Sequence, residues 1–123
     1  MSGSRTGRFL ANWDSQARKG VLVLIVMSAL SEREYYGYEL VEHILANTGM
    51  EVSDGTLYAI LIRLKGEGLV STRWEPAERG PSRKYYALTR DGRAVLAEMN
   101  RSWGEIAAGV EAILKVKRSS HVH

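Results

Sequence analysis

The chain has no cysteine, which removes disulfides, thiolate metal sites and cysteine nucleophiles from consideration and fits a reducing compartment. A cytoplasmic protein is the expectation. Long hydrophobic runs are missing as well. The apolar stretch Val21 to Met27 is seven residues long, far below the ~20 needed to span a bilayer. It also starts behind Arg18 and Lys19 without a small-residue cleavage site, unlike a secretory signal, so no membrane partner is expected. An excess of one charge is lacking too. The formal net charge is only +3, so any attraction for a polyanion must come from where the charges sit. Groupings that carry catalysis are absent: there is no nucleophile-and-base set, phosphate-cradling glycine loop or paired-carboxylate signature. The histidines are His43, His121 and His123. His43 with Glu39 or Glu42 has helical metal-ligand spacing, but a solvated, hydrogen-bonded histidine is the commoner outcome, and the tail pair is at best a weak chelate. Neither an enzyme, a cofactor nor a metal is expected.

What is present fits one domain, or one domain with a long appended helix, in 123 residues. Charges are unevenly placed. Glu32, Glu34, Glu39, Glu42 and Glu51 crowd the region where Arg33 stands alone, whereas Arg63, Lys65, Arg79, Arg83 and Lys84 come later. The segment from Arg79 to Thr89 reads as a basic hairpin tip running into an aromatic strand and a helix cap: Gly80 and Pro81 supply the reversal, and Tyr85 and Ala87 alternate with Tyr86 and Leu88.

Upstream, a first helix is expected over residues 14–30, with Asp14 or Ser15 as cap and an apolar surface on every side at 21–27. Such a helix is either central to the core or covered on its second face by another subunit. A second helix over 36–46 stops near Gly49, and a third starts at the N-cap candidate Ser53 with Leu57, Ile60, Leu61 and Leu64 on one face. Strands follow over 69–74 and 83–88 around a loop, and Thr89 caps a last helix. The divisions read as an N-terminal extension (1–13, partly disordered), a winged helix DNA-binding domain (14–89), a C-terminal dimerisation helix (90–118) and a disordered tail (119–123). The fold class is therefore mainly α with a small antiparallel β-hairpin, a winged helix-turn-helix plus a long dimerisation helix.

Four ordered motifs sharpen this reading: Tyr36, Gly37, Tyr38, Glu39, Leu40; Gly55, Thr56, Leu57, Tyr58; Arg63, Leu64 leading to Glu67, Gly68, Leu69; and Gly80 followed by Arg83, Lys84, Tyr85, Tyr86, Leu88, Thr89, Gly92. Over residues 19–103 the chain resembles the PadR-like transcriptional regulators. The resemblance implies a dimer, mostly a repressor, released from operator DNA by a small molecule or another signal. The short C-terminal part resembles the smaller subfamily with multidrug-sensing members. Two positions depart from the family pattern: Ala59 stands where proline is frequent, and Ile62 where a polar or basic residue is.

The DNA contacts expected on this reading are Ser53, Thr56, Tyr58 and Arg63 from the third helix, Tyr36 or Tyr38 from the second, and Arg79, Arg83 and Lys84 from the wing. For Tyr38, Tyr58 and Tyr85, core packing is an equal alternative. In the last helix, Leu96, Met99, Trp103, Ile106, Val110 and Ile113 alternate gaps of three and four, the seam of a coiled coil that needs a partner. A symmetric homodimer joined there and through Val21 and Leu22 would set two reading heads about 34 to 36 Å apart. By resemblance, Trp103 matches the tryptophan with which drug-sensing members stack flat aromatic effectors between subunits. A slot there would be lined by Trp103, Met99, Ile106 and Trp13 or Phe9 of the other subunit; ordinary dimer packing is the alternative. The rival to an operator-binding regulator is a ligand-binding or protein-interaction dimer on the same scaffold with weak DNA contact.

Overall fold

Three helices in turn contribute apolar faces to one core, and a small sheet closes it. The computed structural model describes residues 4–122, with side chains through residue 118. Its elements are α1 (Arg5–Glu32), β1 (Tyr35–Tyr36), α2 (Gly37–Thr48), α3 (Asp54–Gly66), β2 (Val70–Glu75), β3 (Arg83–Leu88) and α4 (Arg90–Val122). The core joins Leu22, Val26, Met27 and Leu30 of α1, Leu40 and Ile44 of α2, Leu57, Leu61 and Leu64 of α3, the sheet residues Tyr35, Val70, Tyr86 and Leu88, and Leu96 of α4. On α2, Leu40 and Ile44 are buried, whereas Tyr38 and Leu45 are exposed.

α1 begins at Arg5, not at residue 14. Ser4 is its cap, its Oγ accepting the Gly7 N–H at 2.9 Å. Asp14 does not cap; it sits inside the helix and pairs with Arg18 one turn on, at 2.8 Å. The boundary expected between an extension and the domain thus falls within a continuous helix about 42 Å long. At the other end, α4 continues through Val122, so residues 119–122 are helical in backbone and not a separate tail. Residues 1–3 and 123, and the side chain of His121, lie outside what the structure describes.

The sheet has three antiparallel strands in the order β1-β3-β2, one more than the expected hairpin. β1 is two residues long, too short to show any alternation, and exists because Tyr35 and Tyr36 pair with Tyr86 and Tyr85. In β2 and β3 the register sets Val70 opposite Leu88, Thr72 opposite Tyr86 and Trp74 opposite Lys84. Side-chain period 2 therefore gives one face carrying Val70, Thr72, Trp74, Lys84, Tyr86 and Leu88, and another carrying Arg73, Glu75, Arg83 and Tyr85.

The sheet is tied to α4 at Thr89. Its N–H donates to Leu69 O at 3.0 Å, its hydroxyl donates to Gly68 O at 2.7 Å, and its Oγ1 accepts the Gly92 N–H at 3.0 Å. A Cβ at Gly92 would lie 2.1 Å from Leu69 O, so only glycine lets the first turn of α4 approach the strand this closely.

Candidate nucleic-acid interface

α3 starts with its cap in order: Ser53 Oγ accepts the Thr56 N–H at 3.2 Å and its hydroxyl donates to Thr56 Oγ1 at 2.9 Å. With Leu57, Leu61 and Leu64 buried, the 100° step of a helix turns Gly55, Ala59, Ile62 and Gly66 directly outward. Tyr58 and Lys65 flank this ridge on one side, and Thr56 and Arg63 on the other; all of these are exposed. The two flanks have different neighbours. Arg63 and Thr56 face α1 across a groove of about 920 Å³ that Arg18 and Lys19 also line. Tyr58 faces the start of α2, its hydroxyl 3.6 Å from where a Cβ of Gly37 would stand, and it lies close enough to Tyr86 to help burial raise that phenol's pKa.

The tyrosines of the first motif separate. Tyr36 sits at the α2 N-cap, where its N–H donates to Glu39 Oε1 at 3.2 Å. Its ring packs edge-on against Tyr85 at 5.5 Å, with the Arg83 guanidinium 4.7 Å above it. Tyr36 is thus part of the base of the wing. Tyr38 is exposed, and its hydroxyl is engaged by the Glu42 carboxylate, which together with that charge raises the phenol above its ordinary pKa. His43 tilts over Tyr35 at 5.1 Å and meets the Asn47 amide at 3.3 Å, so it is hydrogen-bonded. Among the described residues no group of three or more His, Asp or Glu side chains is placed to hold a metal ion.

The wing turns at Gly80, whose φ of 89° is in the left-handed region. The cations of the wing and of α3 fall into two electrostatic classes. Arg73 is matched: it bonds Glu34 through Nε, 3.0 Å from each carboxylate oxygen, and through Nη2, and its Nη1 meets Glu75 at 3.1 Å. The Arg73 hydrogen bonds hold the Glu34 carboxyl below its ordinary pKa, and the two carboxylates push Arg73 higher still. By contrast, among the described residues Arg63, Lys65, Arg79, Arg83 and Lys84 form no ion pair. Arg83 and Lys84 rest on aromatic rings, with Lys84 Nζ 5.8 Å from the centroids of both Trp74 and Tyr86. A ring face orients a cation without cancelling its charge. Arg83 and Lys84 thus keep their charge while the rings set their positions.

Sequence reasoning missed Trp74, which is 65% exposed at the wing beside Lys84. Its parity with Val70 marks it as inward-facing, and only the tertiary structure shows that the core ends before it. Lys65 belongs to a charge cluster legible in the sequence, and the helical step sets it beside the outward ridge of α3.

The family profile described as "Transcriptional regulator PadR-like family" matches residues 26–98, from the buried half of α1 into α4. The chain belongs to this family. It is a DNA-binding transcriptional regulator and not an enzyme. A PadR family transcriptional regulator from Eggerthella lenta is similar in structure, with a TM-score of 0.76 and 34% identity, covering 87% of this chain and 93% of that one. A PadR-like transcriptional regulator from Bacillus cereus has a TM-score of 0.73 and 35% identity, covering 80% and 96%. A transcriptional regulator of Mycobacterium tuberculosis is 32% identical over 93 residues, 76% of this chain and 85% of its own length. Among the described residues of this PadR-like regulator, no helix is long and apolar enough to cross a membrane.

Two residues expected at a subunit interface are elsewhere: Leu22 and Leu96 are each 6% exposed and belong to the chain's own core, because α1 and α4 of the same chain already pack together there. Val21 is half-buried on α1 and lines a cleft of about 350 Å³ with Gly20, Leu24, Met99, Trp103 and Ile106. Three of the residues expected to line a ligand slot thus meet in one place, with Trp103 still 43% exposed. Phe9 and Trp13 are not in that cleft; they project from the N-terminal half of α1, exposed like Val110 and Ile113 of α4.

Proposed function

We propose that the regulator works as a homodimeric, cytoplasmic repressor that binds double-stranded operator DNA and is released by a small planar aromatic effector. The observation that carries the dimer is the apolar surface left uncovered at the helix ends. Phe9, Leu10 and Trp13 of α1 and Ile106, Val110, Ile113, Leu114 and Val116 of α4 are all exposed large hydrophobics. Large apolar side chains exposed along both helix ends mark an interaction site, and a second copy supplies a matching set by symmetry.

In this reading the outward side of α3 enters the major groove. Ser53, Thr56, Tyr58, Arg63 and Tyr38 approach phosphates beside it, and Arg79, Arg83 and Lys84 contact the flanking backbone, with Tyr36 holding Arg83 in place. Binding over a promoter blocks transcription by occupancy. The effector enters the cleft at Trp103, whose volume suits a small ring system, and Phe9 or Trp13 of the second copy completes the walls. By favouring one spacing of the two α4 helices, the effector moves the reading heads out of register with successive grooves.

The test joins both halves. In a gel shift, the chain should retard a duplex from immediately upstream of its own coding region, and planar aromatic compounds should quench tryptophan emission and release that duplex. Trp103→Ala should still bind the duplex but lose release by tenfold or more in effector concentration. Equal release in that variant would remove the effector site, and a chain sedimenting as a monomer at micromolar concentration would remove the dimer.

A further inference from the structure

The outward ridge of α3 has an unusual make-up for a surface meant to read DNA. Gly55, Ala59, Ile62 and Gly66 carry among their side chains no hydrogen-bond donor and no acceptor. Nothing stands within 4 Å of a Cβ built on Gly55 or Gly66, so the ridge is open to solvent. The only bulk on it is Ile62, which is 69% exposed. Its rims are polar: Tyr58 and Lys65 on one side and Thr56 and Arg63 on the other, the two cations without ion pairs among the described residues. The one acid in the first turn is Asp54. An apolar protein partner would be poorly matched by cations along both edges; a polyanion with an apolar feature at its centre is matched well.

The major groove offers one such feature. Of the four bases only thymine presents a methyl group there, flanked by phosphate rows. Glycine and alanine on either side of Ile62 allow the helix axis to approach the groove floor, bringing a branched aliphatic group against that methyl. We propose that α3 selects thymine at one or two positions of each half-site through contact of Ile62 with the C5-methyl group, and not through bidentate hydrogen bonds to base edges. This rests on the operator-binding reading above and adds to it the chemistry of the base that is read.

Removing a thymine methyl leaves a duplex with the same hydrogen-bonding edges. Duplexes would first be enriched from a random-sequence pool by the full-length chain. The strongest binder would then be remade with deoxyuridine at each thymine in turn, and dissociation constants measured by gel shift. Exposing one methyl group that Ile62 had buried predicts about 3- to 5-fold weaker binding at that position, with little change elsewhere. Ile62→Ser, whose fold is checked by circular dichroism and melting, should bind thymine and deoxyuridine duplexes equally. If no position distinguishes the two bases, or if Ile62→Ser keeps the full preference for thymine, the proposal is overturned while operator binding stands. If no duplex is enriched at all, operator binding falls and this inference with it.

Discussion

The middle of the molecule and its extremities are built on opposite principles. In the core and at the base of the wing, groups are matched: the apolar faces of four helices and a sheet bury one another, no described buried side-chain nitrogen or oxygen lacks a partner, and the exposed Arg73 is held by Glu34 and Glu75. At the extremities, groups are unmatched. The N-terminal half of α1 and the C-terminal half of α4 expose large apolar side chains, and the wing carries cations with no carboxylate partner among the described residues. α1 makes the contrast within a single helix, since its residues 5–20 are largely exposed and those from 21 to 30 largely buried. Matched groups hold the fold together, and unmatched ones mark where something else must be met.

The sharpest way to break this comparison is to damage one group of each kind. Leu61→Ala removes a fully buried side chain and should lower folding stability by about 2 to 5 kcal/mol in denaturant melts. Val110→Asp, in the uncovered part of α4, should leave the melt of the isolated subunit nearly unchanged but shift sedimentation from dimer toward monomer by a factor of about ten or more in concentration. A Val110→Asp chain that unfolds, or that remains a dimer, would show that the two regions do not differ as described.

The cations supply a second contrast of smaller size. Six neutralised phosphates would give a log-log salt slope near about −5. Replacing Arg83 and Lys84 together by Ala should flatten it by about one unit for each phosphate left without its cation, whereas Arg73→Ala should change it little because Glu34 and Glu75 already occupy that charge. The smallest effect concerns the matched pair itself. Glu34 is held below its ordinary pKa by Arg73, so its contribution is present above the unfolded value of about 4.5 and is lost as pH falls through the lowered folded value. Stabilities of the wild type and Glu34→Gln should therefore differ slightly at neutral pH and converge in acid, and added salt should shrink the difference.

Local signals located most elements because each is decided within a few residues. The Ser53 cap, the buried Leu57, Leu61 and Leu64, the strand Arg83–Leu88 and the Thr89 cap all lie where the sequence puts them. Helix ends without a strong stop were harder: nothing between Ser4 and Asp14 interrupts a helix, and the acid that resembled a cap was instead half of an ion pair.

Residue types and their periods alone determined that this chain makes three short-range helical units, a basic wing and a long apolar-striped last helix, because propensity, capping and alternation act between near neighbours. Only the tertiary structure decided which half of each stripe is used at home. Burial depends on what lies across the gap, and so Leu22 and Leu96 were claimed by the chain's own core while Trp74, Ile62 and the helix ends were left facing outward.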